Sequence, residues 1–310
     1  MSDRRSHPAD HDHDHGIGED ADRRYLWAAL GLILGLMAVE VVVAFSSGSL
    51  ALLSDAGHML SDAGALVGAL WAIRLATRPA AGTWTFGLAR AEILSAAANG
   101  ITLLVVAGIL LVEAIRRLVE PPTVAGVPVI AVAALGVAMN IVATWLLAKA
   151  NRSSLNIEGA YQHILTDLFG FLGTLVAGLV IVLTGWQRAD PIATLVVVAL
   201  MIRAGWGLLR DSGRILLQGA PQGMDLQQVR RHLLGNDHVH DIHDLHVWTV
   251  TSGLPTLSAH VVVQPDCLTD NHTPQLLDEL QQCLVGHFDV EHSTFQLEPL
   301  NHADHEHVLH

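Results

Sequence analysis

Nineteen histidines are spread over this 310-residue chain, yet only two, His58 and His163, fall between Arg24 and Gln218. Each lies in a strongly apolar stretch and is followed four residues later by an aspartate, Asp62 and Asp167. Residues i and i+4 share one helix face, so each pair presents an imidazole and a carboxylate side by side. Two such helices brought together supply four N and O ligands, the tetrahedral set that zinc favours. Cadmium or cobalt fits the same cage, whereas calcium and magnesium want six or more oxygens. No cysteine or thioether ligand points to Cu(I). The competing reading is that each pair is a local hydrogen-bonded couple that pins helices together. Two pairs of identical spacing, using every histidine of the apolar region, favour the metal. A charged aspartate at mid-bilayer costs about 2.5–3.5 kcal/mol, so four such groups without a ligand are a poor structural choice.

The same residues imply a coupling chemistry. Metal binding requires neutral His and ionised Asp, so it displaces protons. A cage that takes zinc from the cytoplasm and protons from outside exports metal on the proton gradient. Glu40 and Asp55 are further acids in apolar surroundings. Asp55 reads equally as an outer relay or a packing hydrogen bond, and Glu40, with no partner at helical spacing, as relay or structure. Asn140 reads as a helix-packing residue and Met59 as lipid-facing or packing. Glu92, Glu113 and Glu158 lie near span ends, where ordinary solvation suffices.

The elements that must hold these residues are membrane spans. The chain is 51% hydrophobic and only 15% charged, with mean hydropathy +0.41, against about 25% charged in soluble domains. Six apolar runs are expected, at roughly 26–46, 51–75, 91–118, 127–148, 157–184 and 190–212. Asp190-Pro191 reads as an N-cap followed by Pro at the first helical position. Gly57, Gly64, Gly159 and Gly170 are expected to let the second and fifth spans approach closely. Arg23, Arg24, Arg74, Arg78, Arg90, Lys149, Arg152, Arg210 and Arg214 all fall on one side, against Arg116, Arg117 and Arg188 on the other. Both termini are therefore cytoplasmic, with Glu113 and Glu120 offsetting the Arg116-Arg117 pair. The acidic N-terminus lacks the basic region of a signal peptide. Usage of Ala, Val, Leu and Arg with short loops suits a bacterial inner membrane. The net charge of −13 argues against nucleic-acid binding.

The expected domains are a His-rich disordered tail (1–24), a six-helix membrane domain (25–217), a small soluble α+β domain (218–299) and a second His-rich tail (300–310). Within the third, Met224–Leu234 and Pro274–Phe288 read as helices, and Leu245–Thr251, Thr256–Val263 and Ser293–Leu297 as strands. That is an αββαβ order with helices on one face of a sheet. His246, Trp248 and Val250 share a strand face by period two, which makes His246 a packing residue. Cys267 and Cys283 read as reduced thiols, with one disulfide as the alternative. The tails carry a compositional metal-binding signal and are either weak zinc traps or solvated ends.

Gly48-Ser49-Leu50-Ala51-Leu52-Leu53-Ser54-Asp55-Ala56-Gly57-His58-Met59-Leu60-Ser61-Asp62 resembles the span-two signature of the cation diffusion facilitator family of zinc transporters. Arg90-Ala91-Glu92, the His163–Asp167 pair and His243-Asp244-Leu245-His246-Val247-Trp248 are similar to further motifs of that family. The resemblance runs from about Leu26 to Pro299. It implies a homodimer of six-span protomers, a metallochaperone-like cytoplasmic domain and Zn²⁺/H⁺ antiport at the tetrahedral site. His58, where manganese-type members carry Asp, implies the zinc/cadmium branch. Some relatives bind a second metal between spans two and three, but Thr77–Leu88 contains no His, Asp, Glu or Cys, and no metal is expected there. The resemblance also implies a regulatory zinc site from His243, His260 and Glu298, completed by His292 or the dimer partner. Gln296 stands where some relatives have a ligating His, and the bland alternative is a set of surface or packed imidazoles. A membrane zinc hydrolase would need a general base such as that of H-E-x-x-H, which this chain lacks, so no enzyme activity is expected. A metal sensor or buffer without transport is the other alternative.

Overall fold

Polar punctuation between the apolar runs sets the helix ends in a computed structural model of the chain. The structure describes residues 15–47, 50–121, 126–150, 154–269, 272–300 and 302. Of these, side chains are described except at 15–23, 40, 43–47, 50–58, 61 and 126–129. The long helices are α1 (His15–Ser47), α2 (Leu50–Ala76), α3 (Ala91–Val119), α4 (Gly126–Leu147), α5 (Leu155–Thr184) and α6 (Ala189–Leu216). They follow the six expected spans to within a few residues, except that α1 starts at His15, inside the stretch read as tail. Once a helix is nucleated each further residue adds a hydrogen bond, and the span carries its helix into the acidic segment. Among the described residues α3, Ile130–Leu147, α5 and α6 are each long and apolar enough to cross a bilayer, and Arg24–Val39 forms a shorter apolar helix. Their outer faces are apolar too: Trp71, Ile109 and Leu183 are all exposed. A helix hydrophobic all round belongs in a membrane or a large core.

Among the described residues the membrane helices form three packing groups, the smallest being Ala177, Ile181 and Ala189 between α5 and α6. Leu26, Leu30, Leu66, Leu147, Ile157 and Ile164 bring α1, α2, α4 and α5 into one core. Leu103, Ala107, Val198, Met201 and Leu208 join α3 to α6. At that second seam a Cβ on Gly205 would stand 2.9 Å from the Gly100 carbonyl oxygen, so the backbones touch only because both residues are glycine. The glycines expected to serve the α2–α5 approach do something else. Gly159 faces Asn99 and Leu208, Gly170 faces Val197, and nothing lies within 4 Å of where Gly64 would carry a Cβ; Gly57 lies outside the described side chains. Phe171 instead lays its ring against Gly136, where a Cβ would collide with it.

Asp190 is not an N-cap. The cap of α6 is Arg188, and Asp190 lies inside the first turn. Its carboxylate is 3.7 Å from Arg117, which also pairs with Glu113 at 2.9 Å. Arg117 is thus met by Glu113 and Asp190, with no Glu120 contact among the described ion pairs.

The C-terminal domain contains α7 (Leu226–Leu233), β1 (Val239–Thr249), β2 (Pro255–Val263), α8 (Pro265–Thr269), α9 (Thr273–Phe288) and β3 (His292–Glu298). The sheet order is β1-β2-β3. β1 and β2 form an antiparallel hairpin, and β3 returns parallel to β2 after the α8–α9 crossover. Val229, Leu233, Leu276, Leu280 and Leu284 of the helices bury Leu257, Ala259 and Val261 of β2. The other sheet face therefore carries the alternate residues, His260 among them. β1 starts six residues before the expected Leu245. Its alternation is broken by register shifts between Val239 and Asp241 and between His243 and His246, which hides the strand from a period-two reading. Both cysteines are free thiols, Cys267 buried and Cys283 partly so.

Candidate metal centres

The first centre lies between α2 and α5. His163 Nε2 is 2.7 Å from Asp62 Oδ1 and 3.8 Å from Asp167 Oδ2. Asp62 and His163 are both buried. The three side chains offer ligand atoms within 4.8 Å of one another. Helical spacing explains the geometry: Asp167 follows His163 by one turn, and α2 supplies Asp62 at the same depth. His58 falls one turn before Asp62 on α2; its side chain lies outside the described residues, as do those of Glu40 and Asp55. Among the described residues His163 Nδ1 has no hydrogen-bond partner, so the ring engages this cluster through Nε2 alone.

Two cavities meet the cluster from opposite sides. One, about 220 Å³, is lined by Asp62, Asp167, Met59, Asn140, Thr166 and Thr174 among others. It runs from Asp167 along α5 away from the C-terminal domain. Asn140, read as a helix-packing residue, is buried, donates to the Gly136 carbonyl of its own helix at 3.0 Å and lines this cavity. Met59 is buried and lines the same space. On the other side Ser95, Asn99, Asn156 and His163 line a void of only about 10 Å³. Asn156 also donates to the Ala69 carbonyl at 2.9 Å, tying α5 to α2. An asparagine at the start of an apolar span was the available signal for that tie.

The second centre is on the open face of the sheet. His243 pairs with His260 across β1 and β2, and His260 with Gln296 across β2 and β3. Glu298, two residues further along β3, reaches back to both imidazoles. His243 Nε2 is 3.0 Å from Glu298 Oε2, and His260 Nδ1 is 2.8 Å from Oε1. The carboxylate is almost fully buried, at 1% exposure, and the three ligand atoms lie within 4.8 Å of one another. Gln296 donates to Glu298 Oε1 at 2.7 Å.

His292 is not brought to this cluster in the protomer. It is exposed at the far end of β3, edge-on to the Phe86 ring at 6.1 Å. Six residues of strand, about 20 Å, separate it from Glu298. His246 is not a packing residue either. The irregularity at Asp244, whose φ is +49°, turns His246 outward to meet the Asp244 carboxylate at 2.9 Å. The same carboxylate lies 3.8 Å from His260, which makes Asp244 a neighbour of the second centre beyond the residues that the resemblance implies. Side chains of the N-terminal histidine cluster and residues 303–310 lie outside the described residues.

Long apolar helices around a buried imidazole–carboxylate cluster, with a small soluble domain appended, define an integral membrane carrier of cations. Residues 26–217 match the cation efflux transmembrane domain, and residues 221–300 match the cation efflux protein cytoplasmic domain. The chain is 41% identical over 293 residues to the zinc transporter ZitB of Escherichia coli, covering 93% of this chain and 92% of that one. It is 38% identical over 290 residues to the cadmium, cobalt and zinc/H⁺-K⁺ antiporter of Bacillus subtilis, covering 93% of each. It is 39% identical over 298 residues to the metal cation efflux system protein CzcD of Cupriavidus metallidurans, covering 96% and 92%. The solved metal-bound C-terminal domain of the CzcD transporter matches 24% of this chain and 99% of its own, at 39% identity and a TM-score of 0.22. The chain belongs to the cation diffusion facilitator family. It is a cation efflux transporter and not an enzyme.

Proposed function

We propose that this protein exports zinc, with cadmium and cobalt as further cargo, in exchange for protons. The ligand set is His58, Asp62, His163 and Asp167. The observation that carries the reading is the convergence of Asp62, His163 and Asp167 in a buried position. Carboxylates and an imidazole at this separation suit a four-coordinate borderline metal better than calcium or magnesium. The relatives named for zinc, cadmium and cobalt support the same cargo.

Proton coupling follows from the donor chemistry. Without metal, the short His163–Asp62 contact holds a proton between ring and carboxylate. Metal needs both groups deprotonated, so its entry expels that proton, and reprotonation from the other side releases the metal.

The protein works as a homodimer in a bacterial inner membrane, with both termini in the cytoplasm. The match of residues 221–300 to a cytoplasmic domain supports that orientation, as does the excess of Lys and Arg on that side. Residues 25–217 form the transport unit and 218–299 the cytoplasmic unit. There His243, His260 and Glu298 hold a regulatory zinc ion, its remaining position filled by solvent, Asp244 or a partner-subunit group. Uptake of radioactive zinc into inverted vesicles under an imposed pH gradient tests the reading. Wild type should accumulate zinc and Asp62→Ala should not; equal accumulation by the two would sink the site assignment.

A further inference from the structure

Glu92 is a buried carboxylate whose partners among the described residues are hydroxyl groups. It lies in the first turn of α3. Ser154 Oγ donates to its Oε1 at 2.5 Å and Thr251 Oγ1 to its Oε2 at 2.7 Å. Ser154 is the N-cap of α5, and Thr251 stands in the turn between β1 and β2. The next residue of that turn, Ser252, accepts the Leu155 N–H at 3.1 Å, one of the donors that a helix start leaves unpaired. Glu92 thus sits at the positive N-terminal ends of both α3 and α5, which favours a buried negative charge there. The hairpin tip of the C-terminal domain closes over it.

Below this junction lies a line of polar side chains. Glu92, Ser95 and Asn99 follow one face of α3 at i, i+3 and i+7. Asn156 and His163 face them from α5, and Ser95, Asn99, Asn156 and His163 share the void of about 10 Å³. Asn99 Oδ1 is buried there and unpartnered among the described residues. A space of that size admits about one water and no hydrated cation. Unpaired polar groups leading to a ligand are out of place in a helix seam built only for packing.

We propose that this line is the route by which the cation reaches His163 from the cytoplasmic side, and that Glu92, gripped by Ser154 and Thr251, is its latch, shut in this conformation. The inference rests on the transport reading above. Opening means withdrawal of the hairpin tip, which frees both Glu92 oxygens toward the entering cation and uncaps α5. A divalent cation is a stronger partner for the carboxylate than two hydroxyls, so its arrival and the release of Thr251 favour each other. Leu155 lies about 12 Å along the helix from His163, close enough for a rigid α5 to carry the change to the transport site.

Thiol accessibility tests the latch in the full-length protein in vesicles. The reporter is Ser95→Cys, nearly isosteric, in a Cys267→Ala, Cys283→Ser background. The probe is the small cationic reagent methanethiosulfonate ethylammonium, applied from the cytoplasmic side. Thr251→Val should raise the labelling rate about tenfold, the scale of one lost hydrogen bond to a charged group. Thr251→Ser should label like the parent, and circular dichroism should show both variants folded. Ser252→Ala, which keeps Glu92 bonded but uncaps Leu155, should raise the rate less. An unchanged rate in Thr251→Val, or equal rates in the Val and Ser variants, overturns the latch. Zinc flux in Asp62→Ala is measured alongside. If that variant is inactive while labelling never changes, the latch fails and the transport reading stands; if labelling accelerates while Asp62→Ala still carries zinc, the hairpin does seal the seam but the transport-site assignment, and with it the route to His163, fails.

Discussion

His163 Nε2 meets Asp62 Oδ1 at 2.7 Å across the α2–α5 interface, although the two residues are 101 apart in the chain. Under the proposed function, a proton held in this contact competes directly with the metal. Zinc affinity should therefore fall as pH falls, because protons bind the metal-free site and not the loaded one. Titration calorimetry of the purified protein in buffers of different ionisation enthalpy measures the protons released per zinc. Asp62→Asn should lower that number by about one at the transport site and weaken zinc binding there by more than the roughly 10–100-fold typical of an outer-shell loss. Unchanged proton release would remove Asp62 from the coupling.

In the C-terminal domain, Gln296 lies opposite His260 and bonds the same Glu298 oxygen. Gln296→His should add an imidazole to the cluster and tighten zinc binding. Glu298→Gln should lose one zinc per protomer without abolishing flux at saturating metal. Metal content after dialysis reads both changes.

The Gly100–Gly205 crossing leaves no room for a methyl group against a backbone oxygen. Gly205→Ala should push α3 and α6 apart and destabilise the membrane domain by about 1–3 kcal/mol. Gly64→Ala, with nothing within 4 Å, should be close to neutral. Thermal unfolding in one detergent compares the two.

Burial pushes the Cys283 thiol above its ordinary value. The thiolate is the reactive form, so Cys283 should alkylate more slowly than a free cysteine at pH 8 and speed up as pH rises further. Buried Cys267 should stay unmodified until the domain unfolds. Mass spectrometry after timed iodoacetamide exposure distinguishes the two sites.

The membrane helices were legible because every span is a long apolar run with polar or proline stops. The His163–Asp167 pair was legible because two histidines stand alone in that background. Glu92 has the local sequence of a solvated span-end residue, and nothing in that sequence reveals that Thr251, 159 residues later, returns to bury it. Gly64, Gly159 and Gly170 do not serve the α2–α5 approach, because a glycine shows that backbones can approach but not which neighbour does. In β1 the irregularity at Asp244 moved both the strand start and the role of His246. Period-two reasoning fails where two residues oppose one. The His243–His260–Glu298 cluster came from family resemblance, and only the strand register brings those residues onto one sheet face.

The hairpin cap on α5 also orders events during synthesis. Ser252 leaves the ribosome 97 residues after Leu155, whose N–H it accepts. At about 5–20 residues per second, the fifth helix waits on the order of 5–20 s with its first turn incomplete and Glu92 unsealed. A membrane half inserted without its soluble half is therefore an unfinished molecule, with a charge and a helix end open to water or to a quality-control protease. Biogenesis of this carrier reaches its last hydrogen bonds only when the final domain has folded onto the first.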